Sequence, residues 1–410
     1  MIARHRTWLT LAICTGCLTG LAADWPQWRG PDRNGLSAET NWLEKWPAGD
    51  SPKVAWKKEI GRGHACVVVS QGRAYCMGWD GHQDTVYCWD AADGSEIWRQ
   101  SYPCETIAQW SGPRATPTVA DGAVYTLGQW GQLRCWDAVT GDLQWKQDLA
   151  ASYNPDIDYG FAWSPLLVDD LLILGTGSHG LALRAKDGSF AWGDDGQHGG
   201  CVSAVPYTHS GQAAVVVTHV SQDRGTLDLV GVEAKTGHEL WRSSPWPESW
   251  GAIGVDPIVA DGTVFITSAQ EYRAAARFSI RGQALHEDWQ NKRVAGYTGG
   301  CVLWKEHLYL VDSRGVLKCL DWKTGEELWS QRGFEDRGTL MSAAGCLLIQ
   351  TGTSGELVVA TAKPSGYEEL RRTRVFADGS ATFTAPTLAN GRICCRSYDG
   401  RVVCLEPGSK

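Results

Sequence analysis

The chain has little of what long helices or nucleic-acid surfaces require. Only three of its 410 residues are methionine, and long helix formers seldom run together, which disfavours an all-helical fold. Positive charge is not in excess. Thirty-eight Lys and Arg stand against 46 Asp and Glu, for a net charge of −8, which argues against a nucleic-acid partner. Past the N-terminal leader no run of 18 apolar residues occurs, so no transmembrane span is expected in the mature chain. G-x-S-x-G, H-E-x-x-H, the P-loop and the haem-attachment C-x-x-C-H are all missing, and with them the commonest signatures of serine hydrolases, zinc proteases, NTPases and c-type cytochromes. What abounds is tryptophan, 22 residues, and glycine, 48. That pairing points to many short strands joined by tight turns.

Residues 1–23 read as a secretory signal. Arg4 and Arg6 precede an apolar stretch from Thr7 to Ala22, and Ala22-Ala23 supplies small residues for cleavage. The expected product is exported to the periplasm or the extracellular space. A lipoprotein attached through Cys17 is the alternative. The single C-x-x-C, Cys14 to Cys17, falls inside this leader. Of the 14 cysteines, Cys88, Cys135, Cys319 and Cys404 share one slot of an internal repeat. Such slots lie about 10 Å apart between packed sheets, too far for a disulfide. They are expected to be buried thiols, and adjacent Cys394 and Cys395 on one strand are expected to pack on opposite faces.

The repeat is read from that small-residue slot: Cys88, Cys135, Ala182, Gly231, Ala276, Cys319, Ala360 and Cys404, spaced 41 to 49 residues apart. A turn glycine follows six residues later in seven units, and a tryptophan four beyond it at Trp98, Trp145, Trp192, Trp241 and Trp329, with His286 and Leu370 as exceptions. Four strands per period of about 45 residues make a propeller blade. The eighth unit ends one strand short, and Pro52–Ile60 with Trp56 supplies a strand that has no blade of its own. The expected fold is all-β: an eight-bladed β-propeller of four-stranded antiparallel blades over residues 52–410, closed by the N-terminal strand on the last blade. Residues 24–51 form a lead-in segment, and the propeller is expected to be monomeric.

Two local motifs lose their usual meaning inside this repeat. Gly175–Gly180 matches G-x-G-x-x-G, but a strand follows where a dinucleotide site needs a helix, so it reads as a hairpin turn. Asn154, Asp156 and Asp158 offer alternate oxygen donors, a weak calcium pattern without the loop glycine or the bidentate Glu. The channel mouth is the better place for a ligand. His64, Trp110, Arg114, Tyr159, Trp163, Trp250 and Asp256 fall at or just before the innermost strands, with Trp246 in the same group of loops. Aromatic walls beside one buried acid suit a flat or sugar-like ligand.

Cys319-Leu-Asp321-Trp-Lys-Thr-Gly325-Glu-Glu-Leu-Trp329 resembles the repeat of the pyrroloquinoline-quinone-type propeller family, and Asp24-Trp-Pro-Gln-Trp28-Arg-Gly-Pro31 resembles the lead-in of its exported bacterial members. The resemblance implies that Trp56, Trp98, Trp145, Trp192, Trp241 and Trp329 dock neighbouring blades. One branch comprises quinoprotein alcohol dehydrogenases that use the quinone with Ca²⁺. Another is similar to the B subunit of the outer-membrane β-barrel assembly machine, a protein-binding scaffold without a cofactor. Dehydrogenases of the first branch are longer, carry their vicinal cysteines in a loop over the quinone, and hold calcium with a Glu-Asn-Asp set that has no matching positions here, Asp256 alone being suggestive. The reading is therefore a non-catalytic exported scaffold for an envelope protein, peptide or glycan, with a compact quinone- and Ca²⁺-dependent alcohol dehydrogenase as the alternative.

Overall fold

A computed structural model describes residues 23–46, 49, 51–105, 110–153, 160–193, 202–221, 225–247, 255–269, 272–297, 300–376 and 381–408. Eight antiparallel sheets follow one another along the chain. Blade one comprises Val68–Ser70, Arg73–Trp79, Gln83–Asp90 and Glu96–Pro103, counted from the channel outwards. Blades two to seven repeat this order. Blade eight takes three strands from the C-terminus, Thr387–Ala389, Arg392–Arg396 and Arg401–Glu406, and its outer strand from Lys53–Glu59. The propeller is thus closed by its own N-terminal strand, which removes an open sheet edge at the seam. The single α-helix among the described residues is the five-residue turn Leu149–Tyr153.

In every blade the outer strand pair carries an irregularity at the same place, beside the small-residue slot. That landmark corrects the slot in two blades. In blade five Arg277, not Ala276, opposes the outer-strand tryptophan, and that tryptophan is Trp289. In blade seven the slot is Val359, and Arg371 stands where tryptophan is expected. The cause is a change of turn. The third and fourth strands of blade five pair as far as Arg281 and Ala284, so the hairpin is longer and a fixed offset from the slot lands on His286.

These tryptophans join blade to blade. The indole N–H of Trp98 donates to the Ala138 carbonyl of the next blade at 3.2 Å, Trp145 to Ala185 at 2.9 Å and Trp192 to Ala234 at 3.0 Å. Trp289 donates to Trp322 at 3.0 Å, Trp329 to Lys363 at 2.9 Å, and Trp56, across the seam, to Ala91 at 3.1 Å. Five of the rings lie on a turn glycine of the next blade. A Cβ on Gly94, Gly141, Gly188, Gly237 or Gly325 would sit 2.3–2.7 Å from an indole atom, and each has a positive φ. Trp241 differs: it covers Gly231 of its own blade and donates to the Tyr207 hydroxyl at 2.8 Å. Replacing Trp289 by alanine is expected to cost about 3–5 kcal/mol through the cavity it leaves. His286→Ala, at an exposed position, is expected to stay within about 0.5 kcal/mol. Paired urea denaturations distinguish the two, and equal effects would refute the corrected docking position. All eleven described cysteines are buried free thiols, and Cys394 and Cys395 both lie within the strand Arg392–Arg396.

Candidate functional site

The lead-in does not lie outside the ring but fills its channel. It enters where the first and second strands turn. There Asp24 accepts the Gln71 amide at 2.8 Å, and Glu39 accepts the Ala23 and Gly391 amides at 2.9 and 3.3 Å. Between these anchors it touches the inner wall of every blade. Trp25 pairs with Val69 of blade one, and the Pro26 carbonyl accepts from Val119 of blade two. The Arg33 guanidinium donates to Ser164 (3.1 Å) and Pro165 in blade three and to Ala204 (3.2 Å) in blade four. Trp28 donates to Asp256 of blade five, and Arg29 to the Cys301 carbonyl of blade six at 2.6 Å. Leu36–Ser37 adds a short parallel strand to blade seven, and the Ser37 hydroxyl reaches Leu388 of blade eight at 3.4 Å. The space left among Trp25, Trp28, Arg29, Cys66, Leu340 and Ala385 is about 10 Å³, room for one water at most.

Asp256 has a structural explanation in this arrangement. Ahead of the inner strands of blades one to three, a side chain from the next blade accepts a backbone N–H: Thr116 from Cys66, Ser164 from Thr116, Ser203 from Ser164, each at 2.9 Å. Asp256 ends this belt by accepting from Ser203 at 2.8 Å through one oxygen, while its other oxygen takes the Trp28 indole N–H. Its charge offsets the two buried arginines. Burial lowers the Arg33 guanidinium to about 10 and lowers Arg29 as well, and Asp256 opposes both shifts.

The opposite end of the channel is lined differently. His64, ahead of blade one, packs against Phe383 and Tyr398 of blade eight with ring centroids 4.9 Å apart in both pairs. Trp110, ahead of blade two, meets the same two rings at 5.2 and 5.4 Å. The Arg337 guanidinium lies 4.9 Å from both Trp110 and Phe383. Burial, with Arg114, Arg396 and Arg337 nearby, holds the His64 imidazole neutral, down to about 3. Trp110 is 40 % exposed. Of the residues expected at the mouth, the structure brings together His64, Trp110 and Arg114. Trp163 is fully buried against Phe161. Trp246 is not in a loop but on the outer strand Glu239–Pro247, buried against Tyr272. Asp256 faces the plug. Tyr159, Trp250, Asn154, Asp156 and Asp158, like the leader with Cys17, lie outside the described residues.

A second group went unrecognised in the sequence. Asp84, Tyr102 and Arg134 meet where blades one and two adjoin, with Arg134 stacked 4.0 Å above the Tyr102 ring. A Cβ on Gly128 would come within 3.0 Å of Asp84 and Tyr102 oxygens, so their approach depends on that glycine. Next to them a cleft of about 820 Å³ opens, lined by His82, Cys104, Glu105, Trp130 and Gln132. Burial raises the Asp84 carboxyl to about 7. Cys104, the Gln129 amide and Arg134 offset only part of the rise, and neither oxygen makes a full hydrogen bond. The folded state therefore keeps a proton that the unfolded chain releases near pH 4, and stability falls as pH rises from there to about 7. Asp84→Asn is expected to stabilise the protein by a few kcal/mol at pH 8 and to make little difference at pH 4. Denaturation at the two pH values tests this, and a pH-independent difference would refute it.

The family model for the outer membrane protein assembly factor BamB matches residues 46–127 and 105–331, more than two thirds of the chain. The chain belongs to the BamB family. Among solved structures, this BamB-family propeller is similar to BamB from Moraxella catarrhalis, with 16 % identity over 87 % of this chain and 100 % of that one, at a TM-score of 0.64. It is also similar to the quinohemoprotein alcohol dehydrogenase from Comamonas testosteroni, with 14 % identity, 94 % and 81 % coverage and a TM-score of 0.69. A europium-containing methanol dehydrogenase shares 12 % identity over 93 % and 89 %, at 0.65. A search of curated proteins gives no match. At these identities the structural likenesses establish the fold, which scaffolds and enzymes share.

Proposed function

We propose that the chain is an exported, non-catalytic propeller scaffold that holds a protein, peptide or glycan partner at the open mouth of its channel. The observation that carries this reading is the commitment of Asp256. Both of its oxygens are bonded, one within the belt of inner strands and one to the plug. The BamB family match supports the scaffold reading, and the secretory pattern of residues 1–23 supports export. No helix among the described residues is long and apolar enough to cross a membrane.

The likeness to the two dehydrogenases raises the quinone and calcium as a second reading. The described residues do not fit that pair. Asp256, the acid expected to hold calcium, is already bonded through both oxygens, to the Ser203 amide and the Trp28 indole. Among the described residues no group of three His, Cys, Asp or Glu could hold a metal ion.

Titration of the mature protein with pyrroloquinoline quinone, with and without Ca²⁺, tests the scaffold reading through tryptophan quenching and alcohol-driven dye reduction. Neither Ca²⁺-dependent saturable quenching nor turnover is expected. Alcohol-dependent turnover would replace the scaffold by an enzyme.

A further inference from the structure

Blade eight departs from its neighbours at one position. In blades one, two and six the slot cysteine lies directly across from a tyrosine on the second strand: Cys88 from Tyr75, Cys135 from Tyr125 and Cys319 from Tyr309. In blades one and two that tyrosine reaches into the next blade, where Tyr75 donates to the Ala138 carbonyl at 3.2 Å and Tyr125 to the Ala185 carbonyl at 3.4 Å. Across from Cys404 stands Cys394 instead. At the seam, a second thiol takes the place of the tyrosine bridge. Both cysteines are buried, and both are thiols in this structure.

The hairpin brings the two sulfurs together. At its end the Ser397 amide donates to the Arg401 carbonyl at 2.9 Å. Hydrogen-bonded and non-hydrogen-bonded pairs alternate from there. Three steps along, Cys394 and Cys404 form a non-hydrogen-bonded pair, the kind whose Cα atoms lie about 4.5 Å apart with side chains closest. A disulfide spans Cα separations of about 4.4–6.8 Å. The thiols already share a hydrogen bond, and that contact, with burial, holds the Cys394 thiol well above its usual range. Two other cysteines are near. Cys395 follows along the strand, so its side chain leaves from the opposite face. Cys76 belongs to blade one, where its sulfur accepts from Arg396 at 3.3 Å and its thiol donates to the Ala65 carbonyl at 3.5 Å.

We infer that Cys394 and Cys404 form a cross-strand disulfide in the exported protein, made by exchange with a disulfide-bearing oxidant before the seam closes. One cysteine, as its thiolate, attacks the oxidant's disulfide, forms a mixed disulfide and expels one thiolate of the oxidant. The other cysteine, as its thiolate, attacks the mixed disulfide and expels the second. The pair is oxidised by two electrons, and its two protons end on the two thiols to which the oxidant is reduced. The order follows from burial. In the folded ring Cys404 is fully buried with Trp56 paired across from it, which leaves an oxidant no line of approach. The hairpin is local and forms within about 10 μs, whereas Trp56 arrives from the other end of the chain and such contacts form later. The crosslink holds the last hairpin in the register onto which Lys53–Glu59 docks. The inference rests on the export part of the proposed function, because disulfides persist in oxidising compartments.

The mature protein is unfolded and reduced, refolded with oxidised glutathione, alkylated and digested with trypsin. Arg396 and Arg401 lie between the two cysteines, so cleavage separates them and a crosslink is read as two joined peptides, two hydrogens lighter than their sum. The link is expected in the wild type and in Cys395→Ser, and is expected to be lost in Cys394→Ser. The oxidised protein is expected to melt about 3 °C above the same sample after reduction. Folded, reduced protein in the same buffer is expected to gain the link at least tenfold more slowly than the refolding chain. Complete alkylation after refolding, or a link through Cys395 or Cys76, would overturn the inference. Equal rates in folded and refolding protein would overturn the order of formation, and equal midpoints the role in holding the hairpin. Export falls on a different result, retention of the tagged full-length chain in the cytoplasm, so the two failures are distinguishable.

Discussion

Replacing Arg33 by methionine is expected to destabilise the propeller by about 3–5 kcal/mol, the usual cost of removing one member of a buried, paired charge system. Arg33 is 2 % exposed and spans the channel. Its guanidinium serves the Gln27 side chain at 3.0 Å and backbone carbonyls in two blades. Methionine fills similar volume but leaves those acceptors without a donor, and an unmet buried acceptor costs about 1–3 kcal/mol. It also leaves Asp256 with one fewer cation near it. Lysine is not expected to rescue the loss, because a single ammonium cannot replace a planar fork aimed at three carbonyls. A guanidinium denaturation series with a lowered midpoint and an unchanged slope checks the result. A loss below about 1 kcal/mol would show that the plug contributes little to holding the ring.

Deleting residues 50–60 is expected to be more severe and to abolish cooperative unfolding altogether. The strand Lys53–Glu59 pairs along the whole of Arg401–Glu406, and Trp56 carries the only described indole bridge across the seam, onto Gly94 and Ala91. Without it blade eight has an open edge, and the buried face of blade one loses its cover. Trp56→Ala, which keeps the strand, is expected to cost about 3–5 kcal/mol and to leave a single transition. Calorimetry separates the two variants. A deletion protein that kept a sharp thermal transition would refute closure through this strand.

The sequence displayed the ring clearly because blades are local. Most place a small residue, a turn glycine and a tryptophan within about a dozen positions, and the strand missing from one end stands alone at the other. The reading slipped where the turn changed: blade five has a longer hairpin, so Trp289 was hidden behind His286. The channel was far less legible. Arg33 meets residues 131 to 171 positions away through carbonyl groups, and a carbonyl leaves no trace in the sequence. Asp256 was recognisable as an acid near an inner strand, but its partner Trp28 lies 228 positions away. Asp84, Tyr102 and Arg134 come together only when two blades pack, so no spacing announced them. The mouth was partly visible in His64, Trp110 and Arg114. Arg337, Phe383 and Tyr398 complete it from blades seven and eight, which come next to blade one only when the ring closes.

The plug also fixes an order of events. It is among the first segments of the ring to be synthesised, yet Glu39 reaches Gly391 and Ser37 reaches Leu388, both in the eighth and last-made blade. Contacts that far apart in the chain form slowly, so the centre cannot be completed while the C-terminal blade is still to come. A chain cut short before blade eight would leave the plug lacking those contacts as well as the outer-strand partner of Lys53–Glu59. Completeness of synthesis is thereby registered at the axis of the ring, where every blade has to be present before the first residues find their last partners.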